Sequence, residues 1–227
     1  MTTSRAKRRI SRRQEYSSST RRALLKSAAD LFAERGYAGT SLDEVVSAAR
    51  VTRGALYHHF QGKLALFQAV FDHVEGTAVK RITADVRRQK DPWDKALTGV
   101  SSFLAVCQEP SYRRIVMQEG PVVLGFDRWR EGEERSTYAL VHDLVQRVLR
   151  QYDIQGALLE TFTRIFFGAM SAAGVTVSEA EDPESASRDV ATVISLMLAG
   201  LRQMAESGVD LGAPVDDPRA LLRGTGG

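Results

Sequence analysis

Arg53, Gly54 and Ala55 follow Thr52 at the start of a short segment that closes at Phe60. A guanidinium in the first turn of a helix can bond both O6 and N7 of a guanine, which is worth about 1 to 3 kcal/mol of discrimination. Gly54 lets a backbone approach DNA closely, and the Ala55 methyl suits the methyl of a thymine. Upstream, Thr40 and Ser41 stand at the N-terminus of another short segment, where a hydroxyl and backbone N–H groups together suit a phosphate. The chemistry these residues could do is the reading of double-stranded DNA.

Such side chains need two short helices and a tight turn to aim them. Ser41 followed three residues later by Glu44 predicts a capping box and a helix through Ala49, with Leu42, Val45, Val46 and Ala49 on one face. Arg50 and Val51 form the turn, and Thr52 caps a second helix that buries Ala55, Leu56 and Phe60. Ahead of them, Ser19 or Thr20 is expected to cap an amphipathic helix from Arg21 to Arg35, carrying Leu24, Leu25, Ala28, Leu31 and Phe32 and stopped by Gly36. Three helices of this length make one small helix-turn-helix core.

The run from Arg21 through Val74, with AADLFAERGYAGTSLDEVVSAARVTRGALYHHFQGKLALFQAV at its centre, resembles the DNA-binding domain of TetR-family bacterial transcriptional repressors. The resemblance covers about the first third of the chain. It implies that Tyr57 and His58 contact phosphate or bases, and that Lys63, at the start of the next helix, holds a phosphate. Gly54 departs from members that carry proline or serine there, which leaves the operator sequence open. Thr52 serves as a cap or a DNA contact, His59 serves structure, and Phe60 belongs to the core.

The composition, 43% apolar and 26% charged over 227 residues, is that of an ordinary globular chain. The net charge of +3 hides an asymmetry. Residues 1–22 carry Arg5, Lys7, Arg8, Arg9, Arg12, Arg13, Arg21 and Arg22 against Glu15 alone. This basic arm, with Arg12 and Arg13 at its centre, either follows DNA phosphates or the minor groove, as homeodomain arms do, or is a solubilising tail. Cys107 is the only cysteine, so neither an internal disulfide nor a cysteine metal cluster is expected, and a reducing cytoplasm is the natural setting. The basic N-terminus lacks the apolar stretch of a secretory signal, and the uncharged run from Ile165 to Ser178 is shorter than the roughly 20 residues that span a bilayer. The four histidines, His58, His59, His73 and His142, make no metal motif, and no P-loop, nucleophile elbow or dinucleotide fingerprint is present. No enzyme, cofactor or metal is expected.

A helix from Lys63 toward Lys90 should connect the reading unit to the rest of the chain and act as a lever. Asp91 and Pro92 start the next helix; Ser111 caps a shorter one, from Tyr112 to Glu119, and Gly120, Pro121 and Gly125 break the chain. Helices are then expected over Phe126–Tyr152, Gln155–Val177 and Pro183–Ser207. Aromatic and polarizable residues recur through this half. Phe103, Cys107, Tyr112, Met117, Phe126, Trp129, Tyr138 and Phe166 are candidates to line a cavity for a small apolar effector. The last two helices are apolar over more than one face. Either they are central to a ligand domain or, as the resemblance implies, they form a homodimer four-helix bundle through Phe162, Ile165, Ala169, Ala173, Val190, Ile194, Leu198 and Leu201.

The expected architecture is all-α: a basic flexible arm over residues 1–18, a helix-turn-helix DNA-binding domain over 19–66, a larger helical ligand-binding and dimerisation domain over 67–208, and a flexible tail over 209–227. The expected function is that of a homodimeric repressor released from a palindromic operator by a small effector. The alternative is a dimeric regulator or DNA-organising protein with no such effector.

Overall fold

The computed structural model describes the backbone of residues 2–208 and 210–212, and side chains from Tyr16 onward within that range. Among these residues the chain is helical, with no strand. The first helix, α1 (Thr2–Arg35), ends where Gly36 takes a φ of 74°, a left-handed value that favours glycine. It runs back through Ser19 and Thr20, so the expected cap there does not form. Neither proline nor glycine interrupts residues 2–35, and each residue added to an existing helix gains a backbone hydrogen bond. The backbone at positions 1–18 expected to be a flexible arm is thus helical from Thr2. The side chains of Arg12 and Arg13 lie outside the described residues.

The next two helices begin where their caps predict. In α2 (Leu42–Ala49) the Ser41 hydroxyl accepts from the Glu44 N–H while the Glu44 carboxylate accepts from the Ser41 N–H at 2.8 Å, completing the capping box. Such a cap contributes about 1 kcal/mol. Arg50 closes α2 in the left-handed region, with φ 54°, and α3 (Arg53–His59) starts under Thr52, whose hydroxyl accepts from the Ala55 N–H. Leu24, Ala28, Phe32, Val45, Leu56 and Phe67 are fully buried between these helices. An ion pair from Arg35 to Glu44, 2.9 Å long, ties α1 to α2 at the surface.

One helix, α4 (Lys63–Arg87), then leaves this small core and enters the second half of the chain, where it packs along α5 (Pro92–Cys107). The buried cluster follows it without a gap, from Phe67 and Phe71 to Ile82, Val86 and Phe103. Asp91 caps α5 by accepting from the N–H groups of Trp93 and Asp94, and Pro92 fills the first turn, where no donor is needed.

The stretch expected to break at Gly120 and Pro121 stays helical. It consists of α6 (Pro110–Tyr112), a π-helical segment Arg113–Glu119 and α7 (Gly120–Leu124), and the break comes only at Gly125. The π segment ends just before Gly120–Pro121, so the missing proline N–H falls in the first turn of α7, where no internal acceptor is left waiting. α8 (Phe126–Glu133) follows, then a second π segment, Glu134–Tyr138, and α9 (Ala139–Leu149) with a 3-10 turn at Arg150–Tyr152. α10 (Gly156–Glu179) and α11 (Pro183–Glu206) pack against each other and against α5, and α10 also covers α9. The fold is a helix-turn-helix unit joined by α4 to a larger helical domain.

Candidate nucleic-acid interface and ligand cavity

Capping geometry decides which side chains of the helix-turn-helix face outward. Ser41, Thr52, Arg53, Gly54, Tyr57 and His58 are exposed on one side of α2 and α3, and Ala55 is half-buried beneath them. Arg53 is the most polar of these. Its Nε and Nη2 both donate to the Asp43 carboxylate on α2, which holds that carboxyl below the usual range and the guanidinium above its own. The contact lies at the surface, so its effect is to orient Arg53 rather than to stabilise the fold. Lys63 sits half-buried at the start of α4 with its ammonium 4.3 Å from the centroid of the Tyr37 ring.

Thr40 is placed differently from the expectation. It is buried, and its hydroxyl donates to the carbonyls of Gly36 at 2.9 Å and Leu31 at 3.2 Å. It locks the turn between α1 and α2 instead of presenting a hydroxyl to phosphate. His59 stacks edge-on against His58 with ring centroids 5.2 Å apart, and burial, then His58 and Arg21, push its imidazole pKa down.

A cavity of about 90 Å³ lies in the second domain between α4, α5, α8, α9, α10 and α11. Of the expected lining residues, Phe103, Tyr112 and Phe166 line it. Cys107 and Met117 are buried in the surrounding core, and burial, then Glu133 and Glu75, push the Cys107 thiol up. Phe126 is exposed, and Trp129 is buried elsewhere, 5.5 Å from Phe126 and over Gly120, where a Cβ would come within 2.8 Å of the indole. The Gly125 break that suggested a cavity mouth therefore turns Trp129 into a core residue. Tyr138 packs on the outside of Phe167 and donates its hydroxyl to Glu160 at 2.8 Å.

The expected dimer residues also divide. Phe162, Leu198 and Leu201 line the cavity, Ala173 and Ile194 are buried in the same subunit's core, and Val190 packs against that core. Only Ile165 and Ala169 face outward. The exposed apolar side chains lie one helical step away: Val193, Leu196 and Met197 on α11, 57%, 68% and 66% exposed, join Ile165 on α10, 69% exposed. Both helices are apolar on two faces, so periodicity shows the faces without saying which one turns inward.

Two acids missed in the sequence stand at the polar end of the cavity. Glu75 on α4 accepts from the Tyr112 hydroxyl at 2.8 Å and from Thr137 at 3.3 Å, and burial pushes its carboxyl up to about 7. Glu133, 5% exposed, lines the cavity itself; burial and then the neighbouring Glu75 push it up to about 8. Gly132 makes the approach possible, because a Cβ there would lie 2.6 Å from the Phe71 ring of α4. A signal was available: Phe71, Glu75, Ala78 and Ile82 fall at one helical spacing, which puts a carboxylate on the apolar face of α4.

Comparison with known proteins agrees with this two-part layout. Residues 24–70 match the family model for bacterial regulatory proteins of the tetR family, and residues 93–201 match the tetracyclin repressor-like C-terminal domain. The transposon Tn10 TetC protein of Escherichia coli is 44% identical over 151 residues, which are 62% of this chain and 73% of that one. A solved TetR-family transcriptional regulator from Pectobacterium atrosepticum superposes with a TM-score of 0.71 at 29% identity, over 82% of this chain and 96% of the other. RolR, solved in complex with resorcinol, shares the fold with a TM-score of 0.61 at 18% identity, over 85% of this chain and 95% of that one.

Proposed function

The chain belongs to the TetR family of DNA-binding transcriptional regulators, which are not enzymes, and from that premise we propose that it is a homodimeric repressor released from a palindromic operator by a small, largely apolar ligand. The observation that carries the reading is the course of α4. Its first residue, Lys63, lies beside the reading helix, and Ile82, in the same unbroken helix, is a wall of the cavity. In this reading residues 1–18 are the arm, 19–66 the DNA-binding domain, 67–208 the ligand and dimer domain and 209–227 the tail. Arg53, Gly54 and Ala55 read bases, while Ser41, Tyr57, His58 and Lys63 hold phosphates, with Thr52 as cap or contact. No helix among the described residues is long and apolar enough to cross a membrane, and the cytoplasm is the proposed setting.

The dimer uses the outward faces of α10 and α11, Ile165, Ala169 and Ala172 with Val193, Leu196, Met197 and Gly200. Large apolar side chains this exposed over two adjacent helices need a partner surface, and a two-fold axis supplies one of the same composition. Two half-sites about one helical turn apart, or a multiple of it, then face the two α3 helices. The cavity, at about 90 Å³, is smaller than the roughly 300 to 1,000 Å³ of pockets for drug-sized molecules. A ligand of that size must therefore displace the walls, α4 among them. A ligand acts only through the difference in its affinity for the two arrangements, and the usual allosteric coupling of about 1 to 3 kcal/mol gives a change in operator affinity of roughly 5- to 150-fold.

The small volume also favours the second reading, a regulator with no small effector. Compounds that bind raise the melting temperature by mass action. The test is to take each such compound to saturation and measure affinity for a palindrome from the intergenic DNA beside the gene. A drop in affinity supports release, whereas an unchanged affinity with every stabilising compound overturns it in favour of the second reading.

A further inference from the structure

We propose that the cavity takes lipophilic organic cations, an amine or amidine carried on an apolar or aromatic body, with Glu133 as the counter-ion; this rests on the reading of the cavity as the effector site. Among the described residues Glu133 is the only charged side chain that lines it, and no lysine, arginine or histidine does. The groups that face Glu133 from the surrounding helices are Glu75 of α4, the Cys107 thiol of α5, the Tyr112 hydroxyl of α6 and the Ser171 hydroxyl of α10, which lowers its pKa. None of them carries a positive charge. On the same helix Arg130 pairs with Glu134 at 3.4 Å at the surface, and its charge lowers the Glu133 pKa by less than burial and Glu75 raise it.

Glu75 already has two donors, from Tyr112 and Thr137, whereas Glu133 has only the Ser171 hydroxyl near it and carboxylate acceptor capacity to spare. A buried carboxylate is costly unless an opposite charge and hydrogen bonds compensate it, and a cationic ligand brings both. An anionic ligand would meet Glu133 and no lining cation. The rings of Phe103, Phe166 and Phe167 line the same space and favour a cation over their faces, and Leu140 and Leu144 hold an apolar body. Burial and then Glu75 keep the Glu133 carboxyl protonated up to about pH 8, so a cation binds as the proton leaves, and its affinity rises with pH up to that point.

The full-length protein would be titrated by calorimetry with benzylamine, benzyl alcohol and benzoate at pH 6, 7 and 8, where the amine stays protonated. The expected result is at least about tenfold tighter binding of benzylamine than of benzyl alcohol at pH 8, with an affinity that rises up to about tenfold per pH unit. Benzyl alcohol should show no such rise, and benzoate should bind least. Glu133→Gln should erase the preference for the amine while still binding the alcohol, which also reports that it folds; the wild-type pH profile needs no variant. Equal affinity for amine and alcohol, or preference for benzoate, overturns the cation assignment and leaves the effector reading standing. Binding of none of the three overturns both.

Discussion

The carboxylate of Glu119, at the end of the first π segment, accepts a hydrogen bond from the backbone N–H of Tyr37 at 2.5 Å, while its other oxygen meets Arg114 at 3.1 Å. Tyr37 in turn carries Lys63 over its ring and packs edge-on against Phe67, with ring centroids 5.2 Å apart. A second route besides α4 thus joins the larger helical domain to the helix-turn-helix unit. It starts one π segment away from Tyr112, a wall of the cavity.

Glu119→Ala removes the acceptor and leaves a part-buried N–H without its partner. The expected cost is about 1 to 3 kcal/mol, the usual penalty for leaving a buried donor unsatisfied, read as a lower urea midpoint. If the contact also carries the signal, the ligand-induced change in operator affinity should shrink in this variant. A midpoint and a ligand response both equal to those of the parent would show the contact to be incidental.

Arg53 and Lys63 separate by the kind of effect rather than its size. Arg53→Ala should relax preference at one base position per half-site, at a cost of about 1 to 3 kcal/mol on the best operator and little on random DNA. Lys63→Ala should weaken all sequences alike and flatten the salt dependence. Asp43→Asn should behave as a weaker Arg53 variant, because it releases the guanidinium from the orientation α2 imposes. Anisotropy titrations on operator and scrambled duplexes at several salt concentrations distinguish the three, and an Arg53→Ala protein that binds both duplexes as the parent does would place the reading elsewhere.

What was legible in the sequence was local. Ser41 with Glu44, Thr52, Asp91 with Pro92 and Gly36 each satisfy or end a helix within a few residues, so their consequences do not depend on the rest of the chain. Thr40 was misplaced because its hydroxyl bonds carbonyls of α1 and the following turn, contacts set by how α1 folds back. Glu133 reads as part of a solvated charged run, EGEER, until Gly132 seats α8 on Phe71. The two stripes of α11, one with Val190, Ile194, Leu198 and Leu201 and the other with Val193, Leu196 and Met197, are both apolar. Only the packed structure turns the first inward.

Leu196→Asp or Met197→Glu should therefore yield a monomer by sedimentation, whereas Leu201→Ala should leave the dimer intact and alter the cavity. The charged variants place an ion in a surface that needs an apolar partner, and a monomer engages one half-site only, so operator affinity should fall by orders of magnitude through lost avidity. A protein that remains dimeric with both charged substitutions uses some other face. Since these side chains are exposed in the subunit, the variants should keep their helical content, and circular dichroism provides that control.

The buried acids give the protein an uncommon dependence of stability on pH. For Glu75 and Glu133 the folded pKa values, about 7 and about 8, lie above the ordinary glutamate value of 4.5 that the unfolded chain approaches. Below about pH 4.5 both groups are protonated in either state and contribute no slope. As the pH rises past that value the unfolded chain releases its protons while the folded chain keeps them, so the folded state holds more protons and stability falls with rising pH. The loss continues to about pH 7 for Glu75 and about pH 8 for Glu133, then levels off. A tenfold difference in proton affinity between the folded and unfolded chain corresponds to about 1.4 kcal/mol, so at their plateaus Glu75 costs on the order of 3 kcal/mol and Glu133 on the order of 5. Glutamine at either position removes the titration while keeping the shape. Urea unfolding between pH 5 and 8.5 should show the parent losing stability across this range, Glu133→Gln losing less, and Glu75→Gln with Glu133→Gln losing none of it, with only the opposite, rising contribution of His59 left below about pH 6.5. A bound cation should restore stability most at the alkaline end, where Glu133 is ionised, and a parent whose stability rises from pH 5 to 8 would mean that these carboxyls are ionised and solvated in the folded protein.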